Sequence, residues 1–271
     1  MAFHNGRMNR VILLGNDRVQ KTATRVELSR PCRLKVEHWA LTQAKQRNLP
    51  VPTPLRHFID AHGYECLVTS HIAGTPLSLC SRDSKRKGYA TIGPHMLKLG
   101  GVIEGFGWIS PNEWKGEFET WQSFLQHFHQ RYGIRLASQG ILTHGHVSSV
   151  ERAIEKLEQP VESFLLHRDL KPANILRDNK NGFWILDWEN SILGDPLFDV
   201  ACFGANHGHG YCWEELRKSY GLPIDHLAYL VYEILAFMGI ICFNLQHNKP
   251  IERRTASLIR CLAQLNALSA H

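Results

Sequence analysis

The chain has 271 residues, 44% of them hydrophobic and 21% charged, which excludes a disordered, collagen-like or coiled-coil protein. Its 31 Lys and Arg residues exceed its 25 Asp and Glu residues, so the formal net charge is +6. This surplus permits an anionic partner, but it is spread along the chain and no nucleic-acid-binding motif accompanies it. We expect no nucleic-acid partner, and we interpret the basic run at residues 82–87 as a solvated loop.

Cysteine spacing and the N-terminal sequence indicate a cytoplasmic protein. The seven cysteines lie at irregular spacing without a CxxC pair, unlike the framework of a secreted, disulfide-rich domain. The polar N-terminus lacks the apolar core of a signal peptide. Residues 227–243 are apolar, but they include Glu233 and fall short of the ~20 residues of a membrane span. We predict a buried core helix there and no membrane association.

Strand patterns dominate the first part of the chain. A hairpin is predicted around the turn Gly15-Asn16-Asp17, and a second strand pair around the turn at residues 61–63. Between the two pairs, a segment of helical composition ends at Asn48-Leu49-Pro50. The predicted elements are strands at 10–14 and 18–23, a helix at 32–47, and strands at 55–59 and 65–70.

Helical periodicity dominates after residue 76. The exception is a hairpin at residues 173–176 and 183–186. It flanks Asn181-Gly182, the strongest two-residue hairpin turn in the sequence. The predicted helices are 94–105, 119–131, 147–158, 213–220, 225–244 and 251–268.

These elements divide the chain into two lobes and give an α+β fold class. The smaller lobe is rich in β-strands and covers residues 1–72, and the larger, mainly helical lobe covers residues 73–271. A connector near residues 70–74 joins them. Because the segment directly before the first hairpin strand, residues 4–9, is short and has a single Gly, we expect the smaller lobe to be abbreviated.

The residues that carry chemistry lie in the run HRDLKPANIL, which begins at His167, and in ILDWE, which begins at Ile185. Asp169 and Asn174 precede the predicted hairpin, which folds the chain back so that Asp187 ends beside Asn174. Two carboxylates and an amide oxygen then share a small volume, an arrangement that is tolerated when a cation lies between them. Hard oxygen ligands of this kind suit Mg²⁺ held together with a substrate phosphate.

The run at His167 resembles the catalytic loop of the protein-kinase-like superfamily, H-R-D-x-x-x-x-N followed by a metal-binding Asp. The resemblance implies a bilobal kinase-like fold and phosphoryl transfer from ATP or GTP. It implies that Asp169 orients the acceptor hydroxyl and takes its proton. It also implies that Asn174 and Asp187 hold Mg²⁺ and that Lys171 neutralises charge on the transferred γ-phosphoryl group.

Within the superfamily, the sequence looks similar to the aminoglycoside phosphotransferase-like family, which is itself similar to choline and fructosamine kinases. ILDWE resembles the family's I-D-W-E signature, and GDPLFD, which begins at Gly194, resembles its G-D-P-x-x-D. The stretch between Asp187 and Asp199 is too short for a peptide-docking platform. The resemblance therefore implies a hydroxyl group on a small molecule, such as an antibiotic, a sugar or an amino alcohol, as the acceptor.

The sequence leaves two alternatives open. Arg168, Lys171 and Pro172 are more typical of protein kinases, which favours a protein substrate. Residues 4–9 stand in the place of the superfamily's phosphate-covering loop, and their shortness favours a pseudokinase that binds nucleotide without turnover. A polycationic acceptor would need a pocket rich in carboxylates, and the positive net charge disfavours it. The candidate carboxylates for such a pocket are Glu104, Glu113, Glu117 and Glu119.

The smaller lobe is expected to hold the nucleotide. Lys21 stands in the place of the superfamily's strand lysine, which binds the α- and β-phosphates. On a strand, Val19 and Lys21 face the same way, so Val19 is expected to contact the adenine while Lys21 reaches the phosphates. Ser70, His71 and Ile72 resemble the hinge whose backbone meets the adenine edge.

Glu37 is the predicted partner of Lys21. Leu34, Glu37 and Leu41 follow the i, i+3, i+7 spacing of a helical stripe, so Glu37 projects from an apolar face where a lone carboxylate would be costly. An ion pair with Lys21 offsets that cost. Glu27 is the alternative partner.

Overall fold

The computed structural model describes residues 2–5, 9–15, 17–24, 33–101, 103–223 and 225–269. Its N-terminal part is rich in β-strands and its C-terminal part is mainly helical, so the predicted α+β class is confirmed. The predicted boundary between residues 72 and 73 falls between two strands. As a division into domains it stays a prediction.

An antiparallel sheet forms the N-terminal part. In the described part of the chain its strands are β1 (Ala2–Asn5), β2 (Asn9–Leu14), β3 (Arg18–Ala23), β4 (Pro54–Ile59) and β5 (Glu65–Ser70). Their order is β1-β2-β3-β5-β4, which confirms both predicted strand pairs. The smaller lobe, which we expected to be abbreviated, is short only in its first strand, β1, of four residues. The link from β1 to β2, residues 6–8, belongs to the predicted phosphate-covering loop and lies outside the described residues.

Helix α1 (Arg33–Gln46) packs against this sheet. Its first turn is capped by the Glu65 carboxylate, which accepts hydrogen bonds from the backbone N–H groups of Leu34 at 3.0 Å and Lys35 at 2.7 Å. A carboxylate is stabilising there because the N–H groups of a first helical turn lack partners within the helix. The helix confirms the prediction for residues 32–47, of which residue 32 is not described, and it holds Glu37 in the interior.

The described C-terminal part consists of helices around two small sheets. One sheet has the order β11-β10-β6 and the other β8-β7-β12-β9. Their strands are β6 (Gly74–Pro76), β7 (Phe106–Ile109), β8 (Gly116–Phe118), β9 (Phe164–Leu166), β10 (Ile175–Asp178), β11 (Phe183–Ile185) and β12 (Ile192–Gly194). The helices are α2 (Arg82–Met96), α3 (Trp121–Ser138), α4 (His144–Glu155), α5 (Leu197–His207), α6 (Tyr211–Tyr220), α7 (His226–Gln246) and α8 (Glu252–Ser269).

Several sequence predictions for this part are wrong. The predicted helix at 94–105 ends at Met96, because Pro94 occupies its last turn and Gly101 takes a left-handed φ of 63° soon after. The basic run at 82–87 is the start of α2, which Ser81 caps by accepting a hydrogen bond from the Ser84 N–H at 3.3 Å. The run is nevertheless mostly exposed, as a solvated segment should be.

Other elements gave no sequence signal. Helix α5 was missed because it is buried on nearly every side, so its sequence lacks the polar face that produces helical periodicity. Strands of three or four residues, such as β7 and β12, are too short to display alternation.

Helix α7 is long and apolar enough to cross a membrane by length and composition, but 67% of its most apolar window is buried inside the protein. It is the core helix that the sequence predicts. Its carboxylate Glu233 is 4% exposed and lies 2.8 Å from His209 Nε2. The hydrogen bond to Glu233 raises the pKa of His209 above its usual 6.5.

This pair predicts a pH-dependent stability. A histidine whose pKa is raised by folding contributes stability that is complete below its unfolded pKa and is lost as the pH rises through its folded pKa. We expect the free energy of unfolding to fall between about pH 6 and about pH 9 by more in the wild type than in a His209→Gln variant. Urea unfolding at both pH values measures this difference. Equal falls in the two proteins would contradict the role of the pair.

Candidate active site

The segment between β9 and β10 presents Asp169 between two polar partners. Lys171 Nζ donates to Asp169 Oδ2 at 2.6 Å, and Asn174 Nδ2 donates to the same oxygen at 3.0 Å. Asn174 Nδ2 also donates to the Asp169 backbone carbonyl at 2.9 Å. The Asp169 side chain is 19% exposed. It is therefore held in place but accessible to a substrate.

Asp199 fixes the backbone of this loop, a role that the sequence reasoning did not assign. Its buried carboxylate accepts hydrogen bonds from the backbone N–H groups of His167 at 3.0 Å and Arg168 at 2.5 Å, and from the Tyr220 hydroxyl at 3.2 Å. Burial raises the pKa of Asp199, and these donors oppose the rise. Arg168 takes a left-handed φ of 64°, which is uncommon for residues other than Gly. Asp199 thus holds the conformation that presents Asp169.

The predicted hairpin brings Asp187 beside this loop. Strands β10 and β11 pair with Ile175 opposite Ile185, and the Leu186 N–H donates to the Asn174 carbonyl at 2.8 Å. Asp187 follows in a left-handed conformation with φ 68°. Because Asn174 Nδ2 is bonded to Asp169, its Oδ1 is the atom that can face a cation. Asp169, Asn174 and Asp187 are therefore brought together, as the hairpin predicts.

Lys21 on β3 reaches the same place from the N-terminal sheet. Its Nζ lies 2.7 Å from Glu37 Oε2, 2.5 Å from Asp187 Oδ1 and 3.1 Å from Glu189 Oε2. The predicted ion pair between Lys21 and Glu37 is present, and Lys21 also contacts Asp187, which was not foreseen. Glu27, the alternative partner, lies outside the described residues.

The charges in this cluster perturb one another strongly. Burial lowers the pKa of Lys21, but Asp187, Glu37 and Glu189 outweigh this effect and hold it well above its usual value. Burial raises the pKa of Asp187, but Lys21 brings it down to about 2. Burial raises the pKa of Glu37 to about 7, with Lys21 opposing the rise and the other carboxylates adding to it. Lys21 therefore stays protonated beside an ionised Asp187.

The cluster has the donors that a hard divalent cation requires. Oxygens of Glu37, Asp187 and Glu189 lie within 4.8 Å of one another, and the ammonium of Lys21 balances part of their charge. Carboxylate and amide oxygens are the ligands that Mg²⁺ prefers. The donor set around Asp187 and Asn174 therefore fits Mg²⁺ chemically.

Glu189 connects the two parts of the molecule and was not singled out from the sequence. Its carboxylate accepts a hydrogen bond from Asn9 Nδ2 at 2.6 Å and pairs with Arg33 Nη2 at 3.2 Å, in addition to contacting Lys21. The signal that could have found it is the final Glu of the ILDWE run. Its partners lie more than 150 residues away along the chain, so spacing alone does not reveal them.

Val19 lies on β3, the central strand of the sheet, next to the end of β5 from which the connector starts. Val19 pairs with Leu13 and Thr69 and lies two residues before Lys21, so the two side chains share a face. The His71 N–H donates to the Asp17 carbonyl at 2.7 Å. This N–H group is therefore engaged within the protein.

Ser70 and Ile72 are the other connector residues with a predicted binding role. The Ser70 hydroxyl accepts a hydrogen bond from the Thr53 N–H at 2.9 Å, so it ties the end of β5 to the start of β4. Ile72 is half-buried. The binding roles predicted for Ser70, His71 and Ile72, like that of Val19, stay predictions.

Comparison with solved structures shows the same fold in several kinases. A thermostable mutant of aminoglycoside phosphotransferase APH(4)-Ia, in ternary complex with AMP-PNP and hygromycin B, has a TM-score of 0.74 at 16% identity and covers 98% of this chain and 92% of its own. Choline kinase LicA from Streptococcus pneumoniae has a TM-score of 0.68 at 18% identity, over 96% and 91% of the two chains. A putative fructosamine-3-kinase from Haemophilus somnus 129PT has a TM-score of 0.68 at 16% identity, over 98% and 90%.

Sequence comparison identifies the family. No curated protein matches the chain. The sequence pattern described as "Phosphotransferase enzyme family" matches residues 1–221, which is most of the chain and includes Lys21, Asp169 and Asp187. The match confirms the enzyme class that the sequence predicts, a kinase with an alcohol group as acceptor. The chain belongs to the phosphotransferase enzyme family.

Proposed function

We propose that the protein transfers the γ-phosphoryl group of ATP to a hydroxyl group of a small molecule, with Mg²⁺ as cofactor. The observation that carries this proposal is the meeting of Asp169, Asn174, Asp187 and Lys21 at one place between the sheet and the hairpin. A base, metal ligands and a phosphate-binding ammonium are the parts that phosphoryl transfer needs.

Each residue has a distinct task in this reaction. Asp169 orients the acceptor hydroxyl and takes its proton as the new phosphorus–oxygen bond forms and the bond to ADP breaks. Lys171 neutralises charge on the transferred group, and Lys21 holds the α- and β-phosphates. Asn174 and Asp187 would hold Mg²⁺. When bound, the ion would supply positive charge against the phosphate oxygens.

The nucleotide base would lie between Val19 and the connector. Because the His71 N–H is bonded to Asp17, the adenine edge would meet the backbone of Ile72. We favour ATP over GTP, since AMP-PNP, an ATP analogue, occupies the similar phosphotransferase structure. Comparing kcat/KM for the two nucleotides tests this preference. A higher value for GTP would reverse it.

A small acceptor is favoured over a protein. The segment from Trp188 to Asp199 is mostly buried, and it forms β12 and the start of α5 rather than an exposed platform. A peptide substrate needs such a platform for docking. Phosphate transfer to protein, with none to small hydroxyl compounds, would support the protein-kinase alternative. Nucleotide binding without turnover would support the pseudokinase alternative.

Charges on α2, the helix that contacts the catalytic loop, favour a neutral or anionic acceptor over a polycation. The Tyr89 hydroxyl donates to the Leu170 carbonyl at 2.9 Å, which places α2 next to Asp169. Two turns earlier on α2, Arg82 lies over the Tyr211 ring at 4.7 Å and has no carboxylate partner among the described residues. It lines a groove of about 350 Å³.

The carboxylates of this groove already have cationic partners. Glu215 pairs with Arg86 at 3.0 Å, and Glu214 lies 3.7 Å from Lys218. Of the carboxylates proposed from the sequence for a polycationic acceptor, Glu113 pairs with Lys115 at 2.7 Å. A polycation would therefore compete with protein cations for these groups.

A matched acceptor panel tests the proposed function. Release of ADP is measured with glucose, glucosamine, glucuronate, amino alcohols, nucleosides and aminoglycosides, with and without Mg²⁺. We expect Mg²⁺-dependent turnover with a neutral or anionic member, and turnover about 10³-fold lower in an Asp169→Asn control. Turnover confined to aminoglycosides would contradict the acceptor charge that we propose. ADP release that is equal in the control would contradict the assignment of Asp169.

A further inference from the structure

We propose that Trp114 is a positioning residue, which holds α1 in place from the side opposite Glu37. The Trp114 ring stacks on Trp39 of α1, with centroids 5.5 Å apart and planes at 7°. Lys35 Nζ, on the same helix, lies 5.4 Å from the centroid of the Trp114 ring. Trp114, in the C-terminal part of the molecule, therefore packs against the helix that carries Glu37.

The backbone conformation of Trp114 indicates that its contact with α1 has a functional role. Its φ is 56°, a left-handed conformation that bulky side chains rarely adopt. Such conformations persist only when the surroundings impose them, and they concentrate where function requires them. Here the Trp114 N–H donates to the Ser110 carbonyl at 2.9 Å, and the Ser110 N–H donates to the Lys115 carbonyl at 2.9 Å. A tight loop thus holds an indole where Gly or Asn would fit more easily.

The base of this loop is closely packed. Strands β7 and β8 flank it, and at Gly105 an added Cβ would lie 2.7 Å from the Gly116 carbonyl oxygen, so the two backbones are in close contact. Strand β7 also pairs with β12, which begins three residues after Glu189. The loop is therefore joined to the segment that carries Asp187 and Glu189.

The Trp39–Trp114 stack and the Lys21–Glu37 ion pair lie on opposite sides of α1. Trp39 lies two residues after Glu37, and two residues correspond to a rotation of about 200° around a helix. Trp39 and Glu37 therefore point to nearly opposite sides of α1, one toward Trp114 and the other toward Lys21. The Trp39–Trp114 stack prevents α1 from moving away from the sheet. Without it, the 2.7 Å contact between Lys21 and Glu37 would loosen.

The kinetic part of the inference rests on the proposed function, in which Lys21 holds the phosphates of ATP. Loosening α1 would weaken the grip of Lys21 on the nucleotide without touching the acceptor or Asp169. We therefore expect KM for ATP to rise about tenfold in a Trp114→Gly variant, with a smaller change in kcat. A Trp114→Phe variant retains an aromatic ring for stacking and is the matched control, with KM near that of the wild type.

Two comparisons separate positioning from a general loss of structure. Glycine relieves the left-handed strain that alanine keeps, so Trp114→Gly should be at least as stable as Trp114→Ala while both raise KM equally. In a Glu37→Gln background, Trp114→Gly should cause little further change, because Trp114 acts through Glu37. If KM instead follows stability across the variants, or if the two substitutions add fully, Trp114 has only a structural role.

Hydrogen exchange tests the inference without relying on turnover. We expect the backbone amides of α1 to exchange about tenfold faster in Trp114→Gly than in the wild type or Trp114→Phe, while the amides of α7 are unchanged. Unchanged exchange in α1 would overturn the proposal. If the α1 amides exchange faster in Trp114→Gly but the wild type shows no ATP-dependent turnover, the positioning role of Trp114 is supported. The proposed function is then contradicted.

Discussion

Replacing Asp169 by Asn is expected to lower kcat by about 10³-fold, because an amide cannot take the proton of the acceptor hydroxyl. The fold should survive, since Asn can still accept hydrogen bonds from Lys171 and Asn174. The backbone of the loop is held by Asp199 rather than by the Asp169 side chain. Coupled detection of ADP with an accepted hydroxyl compound measures the loss.

Two controls complete this experiment. The temperature of unfolding and the affinity for ATP should be close to those of the wild type, because Asp169 does not contact Lys21 or the connector. Phosphoryl transfer at more than a tenth of the wild-type rate in Asp169→Asn would contradict the assignment of the base.

Replacing Lys21 by Met is expected to affect both catalysis and stability. It removes the ammonium shared by Glu37, Asp187 and Glu189, and leaves Glu37, 4% exposed, without its cation. Removing one partner of a buried ion pair typically costs about 3–5 kcal/mol of unfolding free energy. We also expect kcat/KM for ATP to fall about 10²- to 10³-fold through the lost phosphate contact.

The destabilisation of Lys21→Met should grow with pH. The pKa of Glu37 is about 7 in the folded protein against an ordinary 4.5, and Lys21 opposes the rise. Without Lys21 the folded pKa is higher, so ionisation of Glu37 opposes folding more strongly as the pH increases. Urea unfolding at about pH 6 and about pH 8.5 should show a larger difference from the wild type at the higher pH.

Lys21→Arg is the matched control, since it keeps the charge while changing the geometry of the donors. It should recover most of the stability and little of the activity. A Lys21→Met protein that is as stable as the wild type at both pH values would contradict the role of Lys21 in balancing these carboxylates.

The site residues that the sequence predicted are those joined by short, regular segments. Asp169 and Asn174 lie in one loop. The two-residue turn Asn181-Gly182 fixes how the two hairpin strands pair, and this pairing brings Asp187 back beside that loop. The Lys21–Glu37 pair was predictable because strand alternation determines which way Lys21 points and the helical stripe determines which way Glu37 points. In each case local geometry determines the position.

The contacts that the sequence did not predict depend on tertiary structure. Glu189 bonds to Asn9, 180 positions away, and Asp199 bonds to the loop at His167 from a helix without periodicity. The stack of Trp39 on Trp114 joins the two parts of the molecule through a residue with an unusual φ. Neither spacing nor propensity encodes such pairs, because their geometry arises when separate elements pack together.

The most direct test of the central claim is a crystal structure with AMP-PNP and Mn²⁺, whose anomalous scattering locates the metal ion. We predict that oxygens of Asn174 and Asp187 coordinate the Mn²⁺ ion, with the γ-phosphate of AMP-PNP facing Asp169. A metal ion bound away from both residues, or a nucleotide whose γ-phosphate points away from Asp169, would contradict the account.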